Sequence, residues 1–156
     1  MLGELTLEEI DDLLHSEAVG RIGCYAFGQP YVVPITYAYD GEAIYGHSRE
    51  GLKLRMMRSQ PTVCFEVDRM DDLSNWRSVI ARGTFSELDT SEAELAMTIL
   101  RRRLAPLVAS ETSLPDSRRH ASGLPYSVFR IILSERSGRF ERAAPAPADA
   151  GSGSKT

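Results

Sequence analysis

The fold is decided by the stretch Tyr31-Val-Val-Pro-Ile-Thr-Tyr-Ala-Tyr39, which is followed directly by Asp40-Gly41. Its β-branched and aromatic residues favour a strand. Because Asp-Gly is a strong signal for a tight hairpin, we expect a return strand from Glu42 to His47. Strands joined by a hairpin pair antiparallel. The stretch therefore favours an antiparallel sheet or barrel over parallel βαβ units.

The sequence on both sides continues the period-two pattern. Val63, Phe65 and Val67, for example, alternate with polar or small residues, as in a half-buried strand. Gly83 lies within a long strand-like run and indicates a bulge or a close backbone approach. Further strands are predicted at 19–26, 61–68, 76–88 and 126–133, the last continuing to residue 140 after a turn at Ser137-Gly138, and polar loops are predicted at 69–75 and 107–123.

Three helices are predicted between the strands. Two of them begin at capping boxes, in which a hydroxyl and a glutamate three residues later cap each other's amides. These boxes are Thr6-Leu-Glu-Glu9 and Ser91-Glu-Ala-Glu94, and Ser48 is the expected cap of the remaining helix. We therefore expect helices at 7–16, at 48–59 and from residue 91 to a stop at Pro106.

Composition limits the class of protein. A chain of 156 residues suggests one domain, which we place at residues 1–142. Residues 143–156 are rich in Ala, Pro, Gly and Ser, so we expect a flexible tail. The net charge of −4 gives no basic field for nucleic acid. The sequence has no run of 18 apolar residues, so no membrane-spanning helix is expected.

The remaining composition signals concern location and metals. The N-terminus lacks the basic and apolar regions of a secretory signal. Cys24 and Cys64 both lie in apolar runs, so we expect buried free thiols and a cytoplasmic protein. The three histidines are scattered along the chain, and no metal site is expected. The sequence also has no Gly-x-Gly-x-x-Gly and no Gly-x-Ser-x-Gly motif, which disfavours a Rossmann site and a hydrolase elbow.

Lys53 is the first candidate for a binding residue. It would lie one turn into the helix that follows Ser48, and helix N-termini attract phosphate because their first amides are unpaired. The same pattern also fits an ordinary solvated helix in which Lys53 faces water. His47 ends the preceding strand, where a histidine is either a surface residue or a titratable group beside the anion site.

Two further segments carry candidate polar groups. Pro34 cannot donate to a strand ladder, so it marks an edge or an interrupted pairing, and Thr36 points to the same side. This interruption fits either a ligand or an ordinary bulge. After the 69–75 loop, Arg77 offers a planar fork for phosphate and Ser78 a hydroxyl, whereas Trp76 could equally close the end of a barrel.

Taken in order, these segments resemble the pyridoxamine 5'-phosphate oxidase-related flavoproteins, especially the branch that includes nitroimidazole-resistance proteins. The resemblance extends over about residues 5–142 and rests on an ordered set of short motifs. They are Gly20-Arg-Ile-Gly23, Tyr31-Val-Val-Pro-Ile-Thr-Tyr37, Tyr45-Gly-His-Ser48 with Gly51-Leu-Lys53, Pro61-Thr-Val-Cys-Phe65, and Trp76-Arg-Ser-Val79 with Gly83.

The resemblance implies a mainly β fold with flanking helices, a six-stranded antiparallel split β-barrel. It also implies a homodimer with FMN in two clefts between the subunits. Ser48 and Lys53 would hold the flavin phosphate, and the isoalloxazine would lie along the segment that contains Pro34, Thr36 and Tyr37. His47 would face the flavin and is the best candidate for a catalytic residue. A neighbouring strand or the other subunit would contribute Trp76, Arg77, Ser78 and Val79.

The function implied is that of an FMN-dependent oxidoreductase which reduces a small acceptor such as a nitroaromatic or a quinone. Pyridoxamine phosphate oxidation itself is disfavoured, because the arginine-rich C-terminal segment of that enzyme has no match in this sequence. The alternatives are a non-catalytic flavin- or haem-binding protein and a deazaflavin-dependent reductase on the same fold.

Overall fold

The computed structural model describes residues 1–108 and 126–144. Within them the chain forms eight strands and three helices. In chain order they are β1 (Leu2–Glu4), α1 (Leu7–Ser16), β2 (Val19–Ala26), β3 (Gln29–Thr36), β4 (Ala38–Tyr39), β5 (Ala43–Arg49), α2 (Leu52–Ser59), β6 (Thr62–Asp72), β7 (Asn75–Glu87), α3 (Thr90–Leu104), a 3₁₀ turn (Ala105–Leu107) and β8 (Tyr126–Glu141).

All strands belong to one antiparallel sheet with the order β3-β2-β6-β7-β8-β5-β4. The 16-residue strand β8 pairs with β7 along most of its length. On its other side β8 pairs first with β5, from Tyr126 to Ile132, and at its far end with β1. The mainly β class with flanking helices is therefore confirmed, with eight strands in place of the six expected.

The inward face of the sheet forms the main core. Phe65 and Tyr37 are fully buried and meet edge to face, with ring centroids 4.9 Å apart. Gly20 lies directly against Phe65: a Cβ added to Gly20 would stand 2.2 Å from Cζ of the ring. Helix α1 covers this face with Leu13 and Leu14. A second cluster lies beneath α3, where Met97, Leu100 and Leu104 pack near Ala38.

The predicted strand over residues 31–39 divides at Tyr37. The N–H of Tyr37 donates to the carbonyl of Ala18 at 3.0 Å, and its hydroxyl donates to the carbonyl of Leu14 at 2.7 Å. These two contacts turn the chain inward. As a result, β3 pairs with β2 while β4 pairs with β5. The expected single strand is thus two strands, which accounts for one of the additional strands; the other is the short β1.

The expected polar loop at 69–75 is mostly strand. Strand β6 continues to Asp72, and β7 begins at Asn75. The carboxylate of Asp72 accepts hydrogen bonds from the amide of Ser74 and from Nδ2 of Asn75, and these bonds close a short turn. Of the two expectations for Gly83, the close backbone approach is confirmed, because a Cβ added there would stand 2.5 Å from the carbonyl oxygen of Ile132. The bulge lies in the partner strand: the register shifts between Arg82 and Gly83, and the extra residue is Ser134 of β8.

The helix caps agree with the sequence at one of three places. Thr6 and Glu9 form the predicted capping box. The prediction for Ser48 is wrong: Ser48 lies within β5, and α2 begins after Gly51, which makes no side-chain cap bond. The second box is also wrong, because the cap of α3 is Asp89, whose carboxylate accepts from the amide of Glu92.

Other expectations have mixed outcomes. β8 is one strand without the turn expected at Ser137-Gly138. Cys24 is buried, but Cys64 is exposed because its neighbours Val63 and Phe65 take the inward positions.

In the described segments, 1–108 and 126–144, no helix is long and apolar enough to cross a membrane. Most of the 107–123 loop and of the 143–156 tail lies outside the described residues.

Candidate functional site

The sheet opens between β3 and β5. Ala38 and Tyr39 of β4 pair with Tyr45 and Ile44 of β5. If this ladder continued, Thr36 would lie opposite His47. Instead β3 turns away to pair with β2, and over the described ranges no strand pairs with this side of β5 beyond Tyr45. The split therefore leaves backbone hydrogen-bonding groups of β5 outside the ladder, and a planar ligand edge can use such groups.

Helix α2 begins at the end of this split. Its first turn contains no acidic residue, and no side chain caps it. Lys53 lies in that turn and is half-buried. Burial lowers the pKa of its ammonium, and none of the carboxylates in residues 1–108 or 126–144 forms an ion pair with it. A partly desolvated cation beside uncapped amides is the arrangement expected of an anion site.

His47 and Ser48 lie on opposite faces of β5, as neighbouring residues of a strand must. His47 pairs in register with Val128, which packs against the cluster beneath α3. Its imidazole stacks on Tyr126 with the ring centroids 4.4 Å apart and the planes within 3° of parallel. Ser48 pairs with Ser127 on the α2 side, and its hydroxyl donates to the carbonyl of Arg49. The three residues expected around one flavin therefore divide, and His47 faces α3.

A cavity of about 550 Å³ adjoins His47. It lies between the first turns of α3 and the paired ends of β5 and β8, and this volume is within the range of small-molecule sites. Its walls combine aromatic, apolar and acidic side chains: His47, Glu87, Leu88, Asp89, Thr90, Ala93, Glu94, Met97, Tyr126, Ser127 and Val128.

A cluster of ion pairs and hydrogen bonds lies between this cavity and α2. Arg58 donates to Glu50 at 2.5 and 2.9 Å and to Glu87 at 2.5 and 2.9 Å. Ser127 also donates to Glu87 at 2.8 Å. These bonds raise the pKa of Arg58 and lower the pKa of Glu87. The cluster ties α2, the end of β7 and the start of β8 together.

The candidate residues on β3 lie at the rim of the split. β3 is an edge strand, as Pro34 indicates, and both Pro34 and Thr36 are exposed. Tyr37 differs from them, because its side chain is fully buried and its hydroxyl is bonded to Leu14. It can therefore reach a ligand in this split only through its backbone.

The segment Trp76 to Val79 lies elsewhere in the chain. Pro34 pairs with Arg21, which pairs with Glu66, which pairs with Ile80. β7 is thus three strands away from β3 along the sheet, and the neighbouring-strand placement of this segment is wrong. Trp76 donates from Nε1 to Glu141, and Val79 is fully buried in the core. Arg77 and Ser78 are half-buried on this distant strand.

Sequence reasoning missed the residues that shape the cavity. No role was expected for Glu87, Asp89 or Tyr126, nor for Arg58, whose side chain bonds to Glu87. Arg58 and Glu87 are 29 positions apart, so no local spacing links them. One signal was present: Asp89 directly precedes a helical run, and aspartate is a preferred cap.

Comparison with known proteins agrees with this architecture. Residues 6–140 match the family model described as pyridoxamine 5'-phosphate oxidase. The fold is that of the flavoprotein split-barrel class. The chain belongs to the pyridoxamine 5'-phosphate oxidase family.

Two solved structures and one sequence relative illustrate the likeness. A FAD-binding protein from Mesorhizobium loti is 30% identical with a TM-score of 0.70, covering 90% of this chain and 98% of that one. A candidate 5-nitroimidazole antibiotic resistance protein from Bacteroides thetaiotaomicron shares the fold at 20% identity, with a TM-score of 0.69 and coverage of 90% and 87%. An uncharacterized Rhizobium meliloti protein is 33% identical over 88 residues, which span 56% of this chain and 58% of that protein.

Proposed function

We propose that this protein is a flavoprotein that binds FMN in the split between β3 and β5 and transfers electrons to a small acceptor. The observation that carries this proposal is Lys53, a half-buried lysine without a carboxylate partner in the described ranges, at an uncapped helix N-terminus. A phosphate dianion would supply the missing counter-charge for Lys53. It would also accept hydrogen bonds from the unpaired amides at the start of α2.

The split suits the flavin ring for a separate reason. Isoalloxazine carries hydrogen-bonding groups along one edge, and the unpaired side of β5 beyond Tyr45 offers backbone partners for them. Thr36 adds a hydroxyl on the opposite rim. The cofactor supplies the redox chemistry when bound, while the protein binds and orients it. His47 stays a predicted flavin neighbour, and Ser48 a predicted phosphate contact.

The acceptor is proposed by class. A small nitroaromatic or quinone fits the 550 Å³ cavity beside His47. The Mesorhizobium loti relative is described as FAD-binding, which makes FAD the main rival to FMN, since both carry a phosphate and the same ring. The other candidates are deazaflavin and haem.

The identity of the bound cofactor is tested on the purified protein. We expect a yellow sample with a flavin absorbance band at about 450 nm, a general property of this cofactor class. Mass spectrometry of the ligand released by denaturation separates FMN from FAD. A Soret band would instead identify haem, and a colourless protein that takes up neither flavin after incubation would contradict the proposal.

We also propose a homodimer in which the partner's Trp76 to Val79 segment completes each cleft. The outer face of β3, β2 and β7 supports it, because three large apolar side chains there are strongly exposed: Val32 (70%), Tyr25 (59%) and Ile80 (55%). Exposed apolar side chains grouped on one sheet face mark an interaction surface. Charged residues such as Arg21, Glu66 and Asp68 form ion pairs beside them.

The Val32→Glu substitution is therefore expected to shift the protein from dimer to monomer, because it buries a carboxylate in the interface. Light scattering at micromolar concentration should give about twice the 17.3 kDa chain mass for the parent protein and about that mass for the variant. Leu95→Glu is the matched control, since Leu95 is 67% exposed on α3. A parent protein that is already monomeric would refute the shared cleft.

A further inference from the structure

The walls of the cavity between α3 and the ends of β5 and β8 have one sign of charge. Glu87, Asp89 and Glu94 all contribute carboxylates, and no lysine or arginine belongs to the described lining. Hydrogen bonds hold the pKa of Glu87 and of Asp89 below the usual range, so both are ionised near neutral pH. A carboxylate or phosphate ligand would enter this space against that charge.

Three arginines lie near this cavity but outside its described lining, and two of them pair with carboxylates. Arg58 is shared between Glu50 and Glu87. Arg49 donates from Nε to the Tyr126 hydroxyl at 2.9 Å, and Arg130 pairs with Glu92. Their guanidinium groups compensate part of the acidic charge from outside the lining.

The three carboxylates differ in the hydrogen bonds that they already accept. Glu87 accepts from Arg58 and Ser127, and Asp89 accepts from the amide of Glu92 and the hydroxyl of Ser91. The carboxylate of Glu94 makes no hydrogen bond or ion pair within the described parts of the chain. It lies one turn further along α3 at the exposed rim of the cavity, so it has its full capacity to accept from a ligand.

The remaining walls favour a flat ring. His47 and Tyr126 form a parallel aromatic pair along one side, while Met97 and Val128 provide apolar surface on the α3 side. Aromatic rings stack in offset arrangements on such surfaces, and a thioether makes favourable contacts with ring edges. The cavity therefore offers apolar and aromatic contact for a ring and an acidic rim for its substituent.

We propose that this cavity binds small flat rings that carry a positive charge or hydrogen-bond donors, and that it discriminates against carboxylate- and phosphate-bearing rings. Its role as the pocket for the electron acceptor rests on the proposed function, because His47 is the residue shared with the predicted flavin site. The preferred acceptors would then be cationic or neutral aromatic compounds, in contrast to the phosphorylated substrate in the family's name.

Three probes of nearly the same shape test the charge preference: benzamidine, benzamide and benzoate. Their binding to the full-length protein is measured by isothermal titration calorimetry, without and with saturating FMN. We expect benzamidine to bind most tightly, benzamide less tightly and benzoate most weakly, with about a 10-fold or greater ratio between the two charged probes. Equal or tighter binding of benzoate would overturn the proposal.

Two variants locate the binding. Glu94→Gln should reduce the benzamidine-to-benzoate ratio about 2- to 5-fold, the range expected for a partly exposed ion pair, and Glu8→Gln, an exposed helical glutamate on α1, should leave it unchanged. Ala93→Phe should weaken the binding of all three probes, because its ring would project from a wall residue and occupy part of the cavity. Undiminished benzamidine binding in Ala93→Phe would show that the ring binds elsewhere.

A competition experiment with FMN distinguishes failure of the charge preference from failure of flavin binding. If FMN competes with benzamidine, the cavity belongs to the flavin and the acceptor-pocket role is wrong. If FMN fails to bind while the order of the three probes holds, the proposed flavin function fails and the charge preference of the cavity stands. Binding of benzamidine in the presence of bound FMN supports both.

Discussion

Lys53→Ala is expected to weaken FMN binding about 10- to 150-fold, because a charge-assisted hydrogen bond contributes about 1.5–3 kcal/mol. The unliganded protein should keep its free energy of unfolding. Lys53 has no carboxylate partner within residues 1–108 and 126–144, and burial lowers the pKa of its ammonium. Removing a partly desolvated, unpaired charge costs the folded chain little. Fluorescence titration of apo-protein with FMN gives the dissociation constant.

Arg55→Ala is the matched control for this result. Arg55 lies on the same helix two residues later and is exposed, so its removal changes the net charge equally without touching the predicted phosphate site. We expect less than a 2-fold change in FMN affinity, as is usual for a screened surface charge. Equal losses in both variants would indicate a general field effect, and full affinity in Lys53→Ala would place the phosphate elsewhere.

Phe65→Ala is expected to lower the free energy of unfolding by about 3–5 kcal/mol, the cost of emptying a buried aromatic site. Phe65 is fully buried and meets Tyr37 edge to face. For a chain of this length the melting temperature should fall by about 10–15 °C. Because association would make the apparent stability depend on concentration, all variants are compared at one protein concentration. Leu95→Ala, at an exposed position, should change the stability little.

The contact between Gly20 and Phe65 adds a sharper test. Gly20→Ala alone should destabilise by about 1–3 kcal/mol, since its Cβ would stand 2.2 Å from the Phe65 ring and the core would be overpacked. In the Phe65→Ala background the same methyl enters vacated space. The double variant should therefore lose less stability than the sum of the single losses, by about 1 kcal/mol or more. Strict additivity would mean that Gly20 is constrained by the backbone of Glu66 instead.

Local signals in the sequence predicted the parts of the fold that depend on neighbouring residues. The Thr6 capping box, the hairpin at Asp40-Gly41 and the irregularity at Gly83 each involve contacts within a few positions or a single backbone property. The division of β3 from β4 could not be predicted this way. It depends on bonds from Tyr37 to Leu14 and Ala18, which lie 19 or more positions earlier in the chain.

The candidate site shows the same limit. The sequence placed His47, Ser48 and Lys53 together because they are close along the chain. Strand alternation then separates the side chains of His47 and Ser48, a consequence that the period-two rule already contains. The cavity could not be found from the sequence, since α3 brings Glu94 to His47 across 47 positions and Arg58 reaches Glu87 across 29.

The long strand β8 also governs when the protein can fold. Its partners are β7, β5 and β1, and the pairing of Leu2 with Glu141 joins nearly the two ends of the described chain. During synthesis, β1 has no strand partner, and β5 pairs only with the two-residue strand β4, until residues 126–141 leave the ribosome. Such non-local pairing slows folding and prolongs the exposure of unpaired strands. The order of translation thus leaves an aggregation-sensitive interval between the synthesis of β7 and that of β8, which closes when a single strand completes three pairings.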